Sequence, residues 1–309
     1  MAVSMKGRNL VSIDDFNAEE IWQVWSLAAE LKRKQKMGEP HRILEGKQLA
    51  MLFQKPSLRT QVSFEMGMSQ LGGHALYLGP DQIQLGKRES VPDVARVLGR
   101  MADGIMARVF AHSDVEQLAA HAGVPVINGL SDEEHPCQSL TDLFTIYEKK
   151  RRVEGINLTY IGDGNNVAAA LLMNAAKVGM NITIISPEGF EVQPSYIQKA
   201  RAAAAITGSQ LRFSSDPNDV AGSDVLYTDT WASMGQESEA EMRGRIFKSY
   251  QVNERLLERA GGKALVMHCL PAHRGSEITD QVMDGPSSIV FDQAENRLHV
   301  QKALLALLM

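Results

Sequence analysis

The sequence contains only two cysteines, Cys137 and Cys269, which are far apart and form no CxxC pair. A disulfide framework or a zinc ribbon needs more thiols at closer spacing, so reduced, cytosolic thiols are expected. No apolar run approaches the ~18 to 20 residues that cross a bilayer, and the N-terminal stretch lacks the long apolar core of a secretory signal. We therefore expect a cytoplasmic protein with no membrane partner.

The sequence also lacks a sustained block of basic residues, and its formal net charge is -5. Both features argue against a surface that follows nucleic-acid phosphates. A basic run around Lys32, Arg33 and Lys34 ends a predicted helix, where cations oppose the helix dipole favourably. The chain is 44% hydrophobic and 22% charged over 309 residues, as in a globular protein of about two domains.

After an N-terminal helix that begins at Asn17, short apolar runs alternate with amphipathic stretches. This βα rhythm predicts a parallel sheet covered by helices. The predicted strands of the first series are 48–53, 74–78, 105–110 and 125–127, and the predicted helices are 60–71, 92–101, 115–122 and 138–150.

A second βα series begins at Asn157, after a charged run that ends at Arg152. The predicted fold class is therefore α/β, with two doubly wound parallel-sheet domains joined by interdomain helices. The first domain is expected over 1–150, with a C-terminal helix in 287–309 packing back on it, and the second over 151–286. In such sheets ligands bind at loops that follow the carboxyl ends of the strands.

The loop after the first strand carries Ser57, Arg59 and Thr60. It leads into a helix, so it offers free backbone N–H groups, two hydroxyls and a guanidinium, which together suit a phosphate dianion. Equally, Ser57 and Thr60 are good helix caps, and in that interpretation Arg59 is only solvated. The loop lacks GxxxxGK[ST], so it is not a nucleotide P-loop.

Two further strand ends point to the same chemistry. Arg108 lies in an apolar strand, where a buried charge needs a nearby anion. His135 and Gln138 open a long helix with Pro136 between them, at a position where the missing N–H costs nothing. A lone histidine is more often structural, but these two side chains are placed to hold a carbonyl or an amide between them.

These residues together resemble the carbamoyltransferase family, and within it the branch that uses ornithine. The resemblance depends on Ser57-Leu58-Arg59-Thr60, Arg108, His135-Pro136-Cys137-Gln138, Asp229 with Ser233-Met234-Gly235, and His268-Cys269-Leu270-Pro271. The segments occur in the family's order over nearly the whole chain. Several agreeing motifs make the match specific, whereas any one of them alone is weak.

For carbamoyl phosphate, the resemblance implies that the loop Ser57, Leu58, Arg59 and Thr60 binds the phosphate together with Arg108. It implies that His135 and Gln138 bond the carbamoyl oxygen and nitrogen, and that Arg297 helps to anchor this group. Gln84 corresponds to a family residue that reaches the site of a neighbouring subunit. The expected assembly is therefore a homotrimer or a multiple of trimers.

For the amino acid, the resemblance implies a second set of residues in the second domain. Asn166 and the backbone around Met234 would receive the α-carboxylate, while Asp229 and Ser233 would take the α-amino group. Cys269 and the Leu270 carbonyl would face the side-chain amine. An ammonium group beside a carboxylate and a hydroxyl is chemically sensible.

Two positions depart from the family pattern. Leu58 stands where many relatives carry Thr, which removes a hydroxyl but keeps the backbone N–H. Gln61 replaces an Arg just after the loop, and there we expect a structural effect more than a catalytic one.

The implied reaction is attack by the neutral δ-amine of L-ornithine on the carbamoyl carbon, which gives citrulline, as in arginine biosynthesis. An alkyl amine is mostly protonated at neutral pH, so a proton must leave first. The hypothesis is that Cys269, near Asp229, orients and deprotonates the amine, while Arg59, Arg108 and His135 stabilise the charge that develops. Neither a metal nor another cofactor is required.

Other functions remain open from the sequence. Putrescine or N-acetylornithine is an alternative acceptor, although putrescine lacks the α-groups that the predicted residues would bind, and the acylated α-nitrogen of N-acetylornithine cannot donate as an ammonium. An aspartate acceptor would be repelled by Asp229. Gly162-Asp163-Gly164 imitates the start of a dinucleotide-binding motif, but Val167 replaces its third glycine. A non-catalytic relative would be expected to lose Arg59, His135 or Cys269, and all three are present.

Overall fold

The computed structural model describes residues 3–232 and 237–309. By its internal contacts the chain divides into two units, Met1–Thr141 with Glu295–Met309, and Asp142–Ala294. Each unit is built on one parallel sheet with helices, which confirms the predicted α/β class. In the part of the chain that is described, we find no helix that is both long and apolar enough to span a membrane.

The first unit has a four-stranded sheet with the order β2-β1-β3-β4. An N-terminal segment adds to its far edge, because Leu10 forms a parallel bridge with Ile127 beside β4. The helices and strands between residues 18 and 150 are α1 (Ala18–Lys36), β1 (Gln48–Phe53), α2 (Leu58–Gln70), β2 (His74–Leu78), α3 (Pro80–Ile83), α4 (Val91–Leu98), β3 (Gly104–Arg108), α5 (His112–His121), β4 (Val126–Leu130) and α6 (Pro136–Lys150).

The second unit has a five-stranded sheet with the order β7-β6-β5-β8-β9. Sequence periodicity missed β7 (Leu211–Ser214), an edge strand with little burial. The other elements are β5 (Asn157–Ile161), α7 (Asn166–Lys177), β6 (Asn181–Ile185), α8 (Pro194–Thr207), β8 (Val225–Thr228), α9 (Ala240–Ile246), α10 (Glu254–Arg259), β9 (Leu265–His268), α11 (Asp280–Met283) and α12 (Val290–Leu308).

Sequence patterns and local chemistry agree at the helix starts that matter for the site. Asn17 and Glu20 form the expected capping box at α1. Helix α6 begins at Pro136, as expected for a proline in the first turn. Helix α12 (Val290–Leu308) lies within the range 287–309 predicted for the C-terminal helix.

The pairing of β3 with β4 is irregular at Arg108, one of the predicted site residues. Ala107 pairs with Asn128 but Arg108 pairs with Leu130, so Gly129 is the extra residue of a bulge in β4. A Cβ on Gly129 would lie 2.5 Å from the sulfur of Met106, so no larger residue fits there without movement. Bulges re-aim side chains next to functional sites, and this one lies beside the buried guanidinium of Arg108.

A fully buried lysine lies within the first unit, on α12. Lys302 is 0% exposed, and its ammonium donates to Gln35 at 2.8 Å and to Gln70 at 2.9 Å. The Nε2 atom of His41 accepts a third bond at 3.2 Å. All three partners are neutral, and burial lowers the pKa of Lys302 from the ordinary 10.5 to about 8.

This lysine predicts an unusual dependence of stability on pH. Native Lys302 releases its proton near pH 8 and the unfolded chain near 10.5, so between these values the unfolded chain binds more protons. The contribution of Lys302 to the free energy of unfolding should therefore rise with pH through this window. In denaturant titrations, we expect the free energy of unfolding of the wild type to rise relative to that of Lys302→Met as the pH rises from 8 to 10.5. The exposed Lys36→Met is the control, and an equal trend in both variants would contradict the prediction.

Candidate active site

The loop between β1 and α2 acts as a helix cap and also joins a buried polar cluster. The Ser57 hydroxyl accepts from the Thr60 N–H at 3.3 Å and donates to the Thr60 hydroxyl at 3.0 Å. The Arg297 guanidinium donates to the same Thr60 hydroxyl at 2.8 Å. Capping the helix and binding an anion are therefore compatible roles for this loop, because the Ser57 hydroxyl that caps α2 also contacts the Arg297 guanidinium through the Thr60 hydroxyl.

Three guanidinium groups act on one buried histidine in the first unit. The pKa of His135 lies well below its usual range, first because of burial and then because of the charges of Arg297, Arg108 and Arg59. Arg108 and Arg297 are buried, and Arg59 is half-buried. The charges that act on His135 are all positive, so the imidazole is neutral and the cluster has a positive potential that suits an anion.

The neutral imidazole also has capacity for a further hydrogen bond. His135 is 4% exposed, and among the described residues its Nδ1 atom has no hydrogen-bond partner. Gln138, one helical turn further along α6, is equally buried. A buried imidazole nitrogen without a partner is costly unless a ligand completes its bond.

Leu58 and Gln84 lie at the surface. Leu58 is 74% exposed at the first position of α2. Gln84 follows α3 in the left-handed region, at φ 39°, with an exposed side chain. Gln61 donates along α2 to Glu65 at 3.4 Å, a contact between residues four apart.

In the second unit, Asp229 and Cys269 meet at the carboxyl ends of two adjacent strands. Thr228 of β8 pairs with His268 of β9, so the next residues of both strands emerge side by side. The Cys269 thiol donates to Asp229 Oδ1 at 3.0 Å. Both residues were predicted for the site, and the structure brings them together.

The thiol is in its neutral form. Burial raises the pKa of Cys269 well above its usual value, and the neighbouring Asp229 charge raises it further. This corrects the hypothesis that Cys269 deprotonates the amine, because a thiol with a raised pKa keeps its proton at neutral pH. It acts as a hydrogen-bond donor to the carboxylate.

Asn165 orients Asp229, although the sequence analysis selected Asn166. The Asn165 amide donates to Asp229 Oδ2 at 2.9 Å, and its oxygen caps α7 by accepting from the Val167 and Ala168 N–H groups at 2.9 and 3.1 Å. Asn166 is the first residue of α7 and is partly exposed. The capping preference of asparagine was the available signal for Asn165.

The comparisons with known proteins agree with this arrangement. The family description "Aspartate/ornithine carbamoyltransferase, carbamoyl-P binding domain" matches residues 8–148, and "Aspartate/ornithine carbamoyltransferase, Asp/Orn binding domain" matches residues 154–308. The chain belongs to this family. The fold and the suspected resemblance predicted from the sequence are thereby confirmed.

Relatives in the aspartate/ornithine carbamoyltransferase family match over the full chain. The ornithine carbamoyltransferase of Pyrococcus horikoshii is 54% identical over 310 residues, which cover 100% of this chain and 98% of the relative. The relative from Pyrococcus furiosus, named "Ornithine carbamoyltransferase, anabolic", has the same identity and coverage. A solved structure of the Pyrococcus furiosus protein superposes with a TM-score of 0.97 and covers 99% of this chain and 98% of that one.

Several residues beside Cys269 were not selected from the sequence as candidate site residues. The His268 Nδ1 atom accepts from the Leu270 N–H at 2.8 Å, so its Nε2–H donates to Glu277 at 3.1 Å. Glu277 also accepts from the His273 N–H at 2.5 Å. This chain of bonds supports Leu270 in the left-handed region, at φ 59°, where a leucine is strained.

Asp229, His268 and Cys269 also have potential metal-ligand atoms within 4.8 Å of one another. Their donor atoms are already engaged, because both ring nitrogens of His268 have partners and the Cys269 proton binds Asp229. The set does not fit a metal ion without breaking these bonds.

Another residue absent from the predictions is Lys55, beside the loop between β1 and α2. Its ammonium pairs with Asp132 and lies 4.3 Å from the ring centre of Phe110. Burial lowers its pKa, while the bond to Asp132 opposes that shift. The charge of Lys55 is therefore compensated by Asp132, unlike the charges of the three arginines that act on His135.

The predicted residues Ser233 and Met234 lie outside the described residues. Residues on both sides of them contact Arg243, which donates to the Trp231 carbonyl at 3.0 Å and to Glu239 at 2.9 Å. The same guanidinium pairs with Asp163 at 2.7 Å.

The dinucleotide-binding alternative conflicts with the surroundings of Gly164. A Cβ on Gly164 would lie 2.3 Å from the backbone nitrogen of Val192, and the Gly164 N–H donates to the Phe190 carbonyl at 2.8 Å. In a dinucleotide-binding loop the glycines leave the backbone open to a pyrophosphate. Here the chain itself occupies that approach.

Proposed function

We propose that the protein is an ornithine carbamoyltransferase, which transfers the carbamoyl group of carbamoyl phosphate to the δ-amine of L-ornithine and releases L-citrulline and phosphate. The observation that carries this proposal is the convergence of Arg59, Arg108 and Arg297 on neutral His135. A phosphate dianion neutralises such a cluster, and the carbamoyl oxygen provides an acceptor for the imidazole. Full-length relatives at 54% identity that are named ornithine carbamoyltransferase support the assignment.

In this proposal, the first unit binds carbamoyl phosphate. Ser57, the backbone at Leu58, Arg59, Thr60 and Arg108 hold the phosphate. His135, Gln138 and Arg297 hold the carbamoyl group. The raised positive potential stabilises negative charge on the carbonyl oxygen and on the leaving phosphate as the carbon–oxygen bond breaks.

The second unit binds L-ornithine. Asp229 and Ser233 take the α-ammonium group, and Asn166 with the backbone at Met234 takes the α-carboxylate. The Cys269 thiol and the Leu270 carbonyl face the δ-amine. Asn165 and Cys269 both donate to Asp229, so the carboxylate is oriented before the amino acid arrives.

The proton balance follows from the neutral thiol. The δ-ammonium loses a proton before attack, the neutral amine then forms a bond to the carbamoyl carbon, and phosphate leaves with the bonding electron pair. The nitrogen sheds its second proton to the departing phosphate. Because the free amine is the nucleophile, the rate should rise with pH towards the pKa of the amine.

The test is one assay of carbamoyl phosphate with L-ornithine, putrescine, N-acetylornithine and L-aspartate, with release of phosphate measured for each. We expect rapid release only with L-ornithine. Faster release with putrescine or N-acetylornithine would overturn the acceptor assignment while leaving the carbamoyl phosphate site in place. No release with any of the four would overturn the proposal.

We also propose that the active assembly is a homotrimer or a multiple of trimers, with Gln84 reaching the neighbouring copy's site. The support is an apolar surface made of Leu58, Val62, Met66 and Leu76, which are 74%, 45%, 47% and 53% exposed. The first three lie on one face of α2 at i, i+4 and i+8, and Leu76 is on the edge strand β2. A face this apolar is more stable when another chain covers it.

The substitution Val62→Glu should therefore dissociate the assembly, because it places a charge in the centre of this apolar surface. We expect monomers in sedimentation velocity experiments, together with loss of activity. Ile206→Glu is the matched control, since Ile206 is 88% exposed in the second unit. A Val62→Glu protein that keeps the wild-type assembly would contradict the proposed surface.

A complementation experiment tests the shared site. Two inactive variants, Arg59→Gln and Gln84→Ala, are mixed, dissociated and reassembled. If Gln84 acts in a neighbour's site, some mixed sites contain both native residues and activity returns in part. No recovery from reassembled mixtures would place Gln84 outside the neighbour's site.

The proposed setting is arginine biosynthesis in the cytoplasm. The Pyrococcus furiosus relative is named anabolic. Both cysteines of this chain are free thiols, as is usual in reducing compartments.

A further inference from the structure

Three buried polar side chains form a closed network behind β9, the strand that leads to Cys269. They are Asp142 on α6, Tyr227 on β8 and Gln293 on α12, with exposures of 0, 0 and 1%. The Tyr227 hydroxyl donates to Asp142 Oδ2 at 3.0 Å. The Gln293 amide donates to Asp142 Oδ1 at 2.7 Å and to the Tyr227 oxygen at 3.1 Å.

This network is attached directly to the segment that carries the thiol. The Gln293 oxygen accepts from the backbone N–H of His268 at 3.0 Å, one residue before Cys269. Gln293 thus uses both amide hydrogens and its oxygen, and so it has one orientation. The residue that it holds, His268, also binds the Leu270 N–H.

Apolar side chains would fill this space without removing a carboxylate from water. Burying Asp142 has a desolvation cost, and a network of this kind is stable only while each of its bonds is made. The network also acts on the thiol electrostatically. Besides burial and Asp229, the negative charge of Asp142 raises the pKa of Cys269, while hydrogen bonding from Tyr227 lowers it.

We propose that Asp142, Tyr227 and Gln293 are positioning residues for the carbamoyl transfer reaction, which hold His268, Cys269 and Leu270 in the geometry that receives the δ-amine. This inference rests on the proposed function for its kinetic consequence. Its structural consequence, the reactivity of the Cys269 thiol, is independent of the substrate.

The first measurement is the rate at which iodoacetamide alkylates Cys269, followed by peptide mass spectrometry at a fixed pH of about 9. Asp142→Asn should raise the rate and Tyr227→Phe should lower it, because the charge of Asp142 raises the pKa of Cys269 and hydrogen bonding with Tyr227 lowers it. The charged or titratable groups that face the thiol are Asp229, Asp142, His268, Tyr160 and Tyr227. The internal control is Cys137, which is buried and whose pKa burial raises to about 12.

The second measurement is steady-state kinetics of the same variants. We expect kcat/KM for L-ornithine to fall by about tenfold or more, since small displacements of catalytic groups have effects of this size. KM for carbamoyl phosphate should stay within about twofold, because its proposed residues are in the first unit. Tyr250→Phe is the control, because it removes a tyrosine hydroxyl of the same unit that bonds elsewhere, to the Ser215 carbonyl at 2.6 Å.

Alkylation rates that change in the same direction in both variants, or kinetics that match Tyr250→Phe, would overturn the positioning role. If Asp142→Asn does not fold, Tyr227→Phe alone tests the positioning role, because this substitution removes a single oxygen atom and leaves the ring in place. Inactivity of the wild type with L-ornithine would instead overturn the proposed function, and the alkylation rates would still test the network.

Discussion

Arg59→Gln is expected to reduce kcat/KM for carbamoyl phosphate by roughly 100-fold to 1000-fold, the usual effect of removing one preorganised donor to a developing charge. Arg59 is half-buried at the start of α2 and is one of three positive charges acting on His135. Glutamine keeps the helix and a polar amide but removes the charge. The measurement is the initial rate of citrulline formation against carbamoyl phosphate concentration.

Stability should change little in Arg59→Gln, because the substitution removes one of three cations that repel one another. A thermal transition close to that of the wild type would separate loss of binding from loss of folding. The control is Arg42→Gln, an exposed arginine of the same unit that pairs with Glu45 at the surface. Turnover of Arg59→Gln at the wild-type level would contradict the carbamoyl phosphate site.

Asp229→Asn is the second large effect that we expect. The carboxylate accepts from the Cys269 thiol at 3.0 Å, from the Asn165 amide at 2.9 Å and from the Thr230 N–H at 2.8 Å. An asparagine retains one acceptor oxygen but places an amide donor against one of these donors and removes the charge for the ornithine ammonium. We expect kcat/KM for L-ornithine to fall by about 100-fold or more, from steady-state rates at saturating carbamoyl phosphate.

Two further measurements show whether Asp229 acts in this way. Binding of carbamoyl phosphate by calorimetry should be unchanged, and alkylation of Cys269 should become faster, because the Asp229 charge raises the pKa of that thiol. Asp284→Asn, an exposed partner of Arg274, is the control and should leave both unchanged. Slower alkylation in Asp229→Asn would contradict the account of the thiol.

Cys269 shows where sequence reasoning ended. Its position after a strand and its place in His268-Cys269-Leu270-Pro271 predicted a residue of the ornithine site. The sequence did not show that it is half-buried, with the charges of Asp229 and Asp142 acting on it, and these surroundings change it from an assumed base to a protonated donor. Charge state depends on neighbours that are distant along the chain.

The asparagine pair gives a similar lesson at shorter range. Two consecutive asparagines after β5 are equivalent in composition, and the resemblance favoured Asn166. The start of α7 gives Asn165 a role of its own, because the capping residue directs its side chain towards the helix end and here also towards Asp229. Asn166 stays a prediction for the α-carboxylate. Glu277 had no signal in the sequence, since its role depends on the path of the chain after β9.

By itself, the sequence determined the α/β class and the alternation of strands and helices, and its motifs led to the prediction of Ser57 to Thr60, Arg108, His135, Asp229 and Cys269 as site residues. Hydrophobic periodicity, helix-capping residues and polar residues at the ends of strands are local properties, so short stretches of sequence encode them. Only the tertiary structure decided that the charges of three guanidinium groups act on one buried histidine, that Lys302 is buried with neutral partners, and that Asp142, Tyr227 and Gln293 form one hydrogen-bond network. These depend on contacts between residues up to 267 positions apart, where burial sets the strength of each charge and hydrogen bond.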